Sequence, residues 1–245
     1  LLQHGLCGDA RQTAEVFPPS QAHRRITLEC RGHGHSGAGN LKDISIARFT
    51  DDAIAFIEHR GLAPLVVGGI SMGAAIAMRI AVTRPDLVRG LIIARPAWSI
   101  AAAPANMQPN ADVGELLARM TQDEARACFM TSPTAQRLAA EAPDNLASLM
   151  GFFGRDPQDV TAALLQSIST DGPGITAQQL KAIAVPTLVI ASGMDSVHPL
   201  ALAEEIAALI PKVRFVEITA KSTNRAGYVS DFQNVLNMFL KGFRQ

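Results

Sequence analysis

The five residues Gly69-Ile70-Ser71-Met72-Gly73 follow the apolar run Leu65-Val66-Val67 and lead into the small-residue stretch Ala74 to Val82. A strand pattern that runs straight into a helix pattern leaves room only for a very tight turn. A serine at the apex of that turn is forced into a strained backbone conformation. Glycines two before and two after it remove the Cβ atoms that would block the turn. The hydroxyl then stands clear of the sheet, and the helix behind it offers free backbone N–H groups and the positive end of its dipole. In this setting the pattern presents a nucleophile; the plainer reading is a tight turn with an incidental serine.

Short β-like runs alternate with helical stretches along most of the chain, the pattern of a mostly parallel, doubly wound α/β sheet. The predicted strands are Leu1 to Gln3, Arg25 to Glu29, Leu65 to Ile70, Gly90 to Ala94, Thr187 to Ala191 and Val213 to Ile218. Ile46, Phe49, Ala53, Phe56 and Ile57 share one helical face, and Gly61 is placed to end that helix. Further helices are expected over Met72 to Arg84, stopped by Pro85, over Leu200 to Leu209 and over Ala226 to Leu240. Between Trp98 and Lys181 the alternation fails. Pro104, Pro109, Pro133, Pro143, Pro157 and Pro173 divide this Ala-, Leu- and Met-rich span into short helices. The expected organisation is a core of residues 1–98 and 181–245 with a helical cap, 99–180, over the strand ends where such sheets bind ligands. A purely structural helical elaboration is the alternative.

Composition narrows the function classes. A length of 245 residues suits one α/β domain carrying an insertion, and 48% hydrophobic against 18% charged residues supplies a sizeable core. The 22 basic and 22 acidic side chains cancel without forming a basic stripe, so no nucleic-acid partner is expected. No apolar run reaches membrane-spanning length and no signal-peptide pattern opens the chain. Cys7, Cys30 and Cys128 are scattered and odd in number, and read as reduced thiols of a cytoplasmic protein. The chain opens without Met on Leu1-Leu2-Gln3, which resembles the tail of a strand, so further residues are expected upstream. Oligomeric state is not legible.

A hydrolytic serine needs an oxyanion hole, a base and an orienting acid. His4-Gly5-Leu6-Cys7-Gly8 lies just after the first strand, where a Gly-containing turn can aim the Leu6 N–H at a developing oxyanion. The N–H of Met72, directly after the serine, is the second donor.

With these residues the chain resembles the α/β-hydrolase superfamily along nearly its whole length. Four landmarks occur in order: His4 to Gly8, the loop Arg31-Gly32-His33-Gly34-His35-Ser36, the elbow Gly69 to Gly73, and Gly193-Met194-Asp195 after a late strand. The Ser-Met-Gly elbow and the helical cap are most similar to the enol-lactonase and esterase branch. The resemblance implies a hydrolase with a solvent-shielded pocket between sheet and cap; the leading expectation is hydrolysis of a small-molecule carboxylic ester or lactone, with neither cofactor nor metal. The resemblance selects Asp195, after the penultimate strand, as the acid of the triad.

One departure from that family stands out. Its histidine follows the last strand, about seventeen residues before the Phe-Leu of the closing helix; here that count falls on Ser222, and no histidine follows His198. Three readings stay open. His198, three residues past Asp195, takes over as base, against the plainer role of a helix-start residue ahead of Pro199. Lys221 acts as base through a pKa lowered by burial. Or the pocket binds a ligand, or serves a reaction without acyl transfer.

Arg95, at the end of a predicted strand, can clamp a substrate carboxylate in a bidentate fork, which points to an anionic ester or lactone; an ion pair to the cap is the alternative. Trp98, three residues on, is expected to wall the pocket. His33 or His35 is expected to touch substrate, and Lys221 to line the site where the base is missing. Two histidines at that spacing, with no carboxylate or cysteine pair nearby, do not make a metal site. Asp51, Asp52 and Glu58 read as the solvated face of a helix, and Met72 and Met78 as core.

Overall fold

The computed structural model describes residues 1–19 and 22–243. Five strands, β1 (Leu2–Gln3), β2 (Leu65–Ile70), β3 (Val88–Ala94), β4 (Thr187–Ser192) and β5 (Val213–Ile218), form one wholly parallel sheet in chain order. Side chains alternate across it as strand geometry requires. Val67, Leu91, Ile93, Val189 and Ala191 point to one face, and Ile70, Ile92, Ala94, Leu188 and Ile190 to the other. Both faces are apolar because both are covered. Helices α2 (Ile46–His59), α3 (Met72–Thr83) and α10 (Leu200–Leu209) pack on the first face, and α1 (Ala10–Val16) with α11 (Arg225–Leu240) on the second.

The expected strand at Arg25 to Glu29 does not form. The segment runs beside β1, joined to it by one backbone bond and otherwise through side chains. The Leu2 N–H donates to Ile26 O at 2.8 Å, the Thr27 hydroxyl donates to Leu2 O, and the Leu28 N–H donates to Gln3 Oε1. Asp52 is also not a free surface acid, since it receives the Arg31 guanidinium at 2.5 and 2.8 Å.

Six helices separate β3 from β4: α4 (Gln108–Arg119), α5 (Gln122–Met130), α6 (Pro133–Glu141), α7 (Pro143–Phe152), α8 (Gln158–Ser169) and α9 (Ala177–Lys181). The prolines start these helices. Pro109, Pro133 and Pro143 occupy first turns, where a missing N–H costs nothing, and Pro157 precedes α8. Val113, Leu117, Phe129, Leu138, Leu149, Phe153 and Leu165 give the inserted helices an apolar cluster of their own, against which Leu6 and Cys7 rest. Asn106 ties the insert to the strand ends, its Nδ2 donating to Ala97 O and Val197 O at 2.9 and 2.7 Å. Among the described residues no helix is long and apolar enough to cross a membrane.

Candidate active site

Ser71 stands between the end of β2 and the start of α3 with φ 56° and ψ −114°. A non-glycine residue in that region costs about 1–3 kcal/mol and persists only where its surroundings hold it. Here its N–H donates to Ala94 O at 3.0 Å and its carbonyl accepts the Ala74 N–H at 2.9 Å. The flanking glycines are required by space. A Cβ on Gly69 would lie 2.1 Å from the Gly73 carbonyl carbon, and one on Gly73 would lie 2.4 Å from Gln3 O.

His198 Nε2 lies 2.8 Å from Ser71 Oγ, and His198 Nδ1 lies 2.9 and 3.0 Å from the two oxygens of Asp195. Asp195 and His198 share one loop after β4. Asp195 Oδ1 accepts the His198 backbone N–H at 3.0 Å, which folds the chain back and lays the imidazole against the carboxylate three residues before it. Burial pushes the His198 imidazole below its usual range, against the opposing pull of Asp195, so the ring is neutral and its Nε2 can accept the serine proton. Burial alone would raise the Asp195 carboxyl. Its interaction with His198, the charge of Arg95 and the hydrogen bonds from both outweigh burial and hold the group well below the usual carboxylate range.

Arg95, at φ 44°, turns its guanidinium onto Asp195 Oδ2, with Nε at 2.9 Å and Nη2 at 2.5 Å. Its Nη1 reaches the Tyr228 hydroxyl at 3.4 Å, and the cation lies over the Tyr228 ring. This corrects the expected substrate clamp. Arg95 lines the cavity, but its fork is engaged by the acid of the serine–histidine–aspartate chain. Asn145 of α7, which no sequence pattern singled out, completes the acid's shell: its Nδ2 donates to Asp195 Oδ1 at 2.9 Å and its Oδ1 accepts the Ser196 N–H at 2.7 Å.

The loop after β1 faces the serine across a cavity of about 290 Å³ lined by Gly5, Leu6, Cys7 and Gly8. The N–H groups of Leu6 and Met72 have no protein acceptor among the described residues, Met72 being the first residue of α3. His33 makes no contact with this cavity. It is fully buried, its Nδ1 donates to Arg31 O at 2.9 Å, and its Nε2 accepts the Cys7 N–H at 3.0 Å. The expected substrate contact is therefore a brace for the Leu6 loop. His35 hangs outside, its N–H on the Glu29 carboxylate. Trp98 does not wall the cavity either. It lies wholly within the main core, its Nε1 donating to Asp171 O at 2.9 Å.

Lys221 does line the cavity, with its ammonium 2.9 Å from Asp144 of α7. Its ammonium is engaged by that carboxylate, and the group within hydrogen-bond reach of Ser71 Oγ is His198. Ser222, at the count where the family carries its histidine, lies beside Met194 Sδ. Among the described residues no group of three or more His, Cys, Asp or Glu is placed to hold a metal ion.

The model of the α/β hydrolase fold family matches residues 1–221. The sn-1-specific diacylglycerol lipase ABHD11 of Mus musculus is 29% identical over 120 residues, 48% of this chain and 36% of the lipase. The 2-succinyl-6-hydroxy-2,4-cyclohexadiene-1-carboxylate synthase of Salmonella paratyphi C is 24% identical over 242 residues, 96% of this chain and 92% of the synthase. The matches take in only 36%, 31% and 28% of the lengths of the first three curated relatives. The crystal structure of the enol-lactonase from Burkholderia xenovorans LB400 superposes with a TM-score of 0.69, covering 98% of this chain and 90% of the lactonase at 24% identity, a likeness of fold. By its sequence match, its parallel sheet and its strained serine elbow, the chain belongs to the α/β-hydrolase fold family.

Proposed function

We propose that this protein is a serine hydrolase of small carboxylic esters or lactones, with the base of its triad on the loop after β4. One observation carries the reading: the unbroken chain from Ser71 Oγ through His198 to Asp195, with links of 2.8 and 2.9 Å. His198 Nε2 takes the serine proton as Oγ attacks the ester carbonyl. Negative charge collects on the carbonyl oxygen, and the free N–H groups of Leu6 and Met72 receive it. Asp195 holds the ring with Nδ1 protonated and steadies the imidazolium that forms. The imidazolium gives its proton to the departing alkoxide, leaving an acyl-enzyme on Ser71. Water, deprotonated by the same imidazole, then releases the acid. Each step uses only this chain's residues and water, and the lipase and lactonase names among its relatives support the assignment.

A fluorophosphonate probe tests it. Stoichiometric labelling of Ser71, lost in Ser71→Ala and slowed at least about a hundredfold in His198→Ala, is the expected result. Labelling that survives in His198→Ala at full rate refutes the base assignment. One observation favours a second reading, in which the same pair serves a reaction without acyl transfer: the Salmonella relative that aligns along nearly the whole chain is a synthase. A labelled serine with no turnover of any ester or lactone would select that reading.

A further inference from the structure

Most polar side chains lining the cavity in front of Ser71 are engaged within the protein. Ser71 and His198 bond each other, Arg95 is on Asp195 and Tyr228, and Lys221 is on Asp144. Asn145 uses both ends of its amide, Gln12 Oε1 accepts the Gly5 N–H at 2.6 Å, and the Ser148 hydroxyl donates to Asp144 O. Asn110, on the first turn of α4, carries the one fully buried side-chain oxygen or nitrogen in this lining, among the described residues, that has no partner. It is only 5% exposed, it lines the cavity, and its Oδ1 has no hydrogen-bond partner. Native proteins leave few buried acceptors unpaired, and one at the wall of a binding cavity calls for a ligand. Around Asn110 the wall is apolar: Met107 lies three residues before it, and Leu149, Phe152 and Val197 also face the cavity. In such surroundings a single hydrogen bond is both stronger and more selective than in water.

We infer that Asn110 is a specificity-determining contact whose side-chain carbonyl receives an N–H or O–H carried by the substrate away from its scissile carbonyl. As placed, Oδ1 lies just inside the wall and the unbonded Nδ2 is the more accessible end; a half-turn about the broad terminal torsion of asparagine exchanges the two and brings the carbonyl to the cavity. The substrate class is then narrower than small esters in general. It is an ester or lactone bearing a hydroxyl or secondary amide on an otherwise aliphatic frame. A site built for such a donor rejects the analogue lacking it far more strongly than a greasy pocket rejects an extra methyl group. The inference rests on reading this cavity as the ester site, and its test separates the two.

Two matched pairs exchange the donor for a group of the same size: methyl 3-hydroxybutanoate against methyl 3-methylbutanoate, and methyl N-acetylglycinate against methyl 4-oxopentanoate. Proton release gives kcat/KM for each ester, and calorimetry gives the affinity of Ser71→Ala for each. The donor-bearing member of at least one pair should be favoured by at least about tenfold. Asn110→Asp, which keeps an acceptor, should retain the preference; Asn110→Leu should abolish it, as should Asn110→Ala if the leucine variant does not fold. Equal values within both pairs, or a preference that survives in Asn110→Leu or Asn110→Ala, overturns the inference. If no ester is turned over but Ser71→Ala still binds the donor-bearing members more tightly through Asn110, the hydrolase reading fails and this one stands.

Discussion

Arg95 and Asp195, 100 residues apart in the chain, meet in a two-pronged ion pair in which Nε and Nη2 both address Oδ2. The side chains are 11% and 5% exposed, and Arg95 Nη2 also lies 3.2 Å from His198 Nδ1. A fixed positive charge there disfavours the imidazolium that the proposed reaction must form. Arg95→Met should therefore raise the His198 pKa and move the acid limb of kcat/KM to higher pH, while Arg95→Lys moves it less. Breaking a buried pair leaves a carboxylate undercompensated, so Arg95→Met should also lose about 3–5 kcal/mol of stability. An unchanged acid limb in Arg95→Met argues against the electrostatic role.

The wild-type pH profile follows from His198 itself. Its pKa is lowered from 6.5, first by burial, so more than half of the imidazole is neutral at pH 6.5. The acid limb of activity on a neutral ester should therefore have its midpoint below pH 6.5. His198→Ala should lower kcat by roughly 10⁴-fold or more without a comparable change in KM. Tracking kcat and KM separately across pH checks both statements.

His33 links acid stability to the loop that carries Leu6. Burial first, and the neighbouring His4 second, push its pKa down to about 3. Between pH 6.5 and 3 the unfolded chain binds a proton that the folded chain refuses, so stability is lost as pH falls through that window. The slope is about 1.4 kcal/mol per pH unit for this one residue. His33→Asn should flatten the dependence in urea denaturation. Because Cys7 then loses its N–H acceptor, the variant should also lose roughly tenfold in kcat at neutral pH. Wild-type kcat in His33→Asn would mean that the brace does not matter to the Leu6 N–H.

Asn145 connects the inserted helices to the acid. Asn145→Ala removes a hydrogen bond to a carboxylate, a loss of about 1.5–3 kcal/mol, and frees the Ser196 N–H. We expect kcat to fall by tenfold or more with KM little changed, and Asn145→Asp to be worse because it sets a second carboxylate against Asp195. A KM effect alone would mean that α7 shapes the cavity and leaves the acid in place.

The sheet was legible in the residues because both faces are buried and the apolar runs are short and bounded, so β2 to β5 stand within two residues of their predicted limits. The segment at Arg25 to Glu29 carries the same composition, but its bonds to β1 run mainly through Thr27 and Gln3 side chains, which no strand pattern encodes. The elbow was legible because its glycines are compelled by contacts of 2.1 and 2.4 Å. Arg95 was placed correctly at a strand end, yet its local sequence cannot say which way a long side chain turns when the partner is 100 residues away. Trp98 and His33 were misassigned for one reason: proximity to the site in sequence does not reveal whether a ring faces the cavity or the core behind it. Asn110 and Asn145 lie in a span without strand landmarks, and only its folding onto the strand ends brings them to the serine.

Most triads draw nucleophile, acid and base from three separate stretches of backbone, so their alignment depends on three anchorings staying in register. Here Asp195 and His198 are spaced by a turn that they close themselves, through the His198 N–H on Asp195 Oδ1. Two members of the machinery thus travel as one local unit, and only its docking against Ser71 must be secured by the rest of the fold. The stretch between β5 and α11 carries no part of the proposed triad. It bears on the site only from the side, through Lys221 in the cavity wall and Ser222 against Met194.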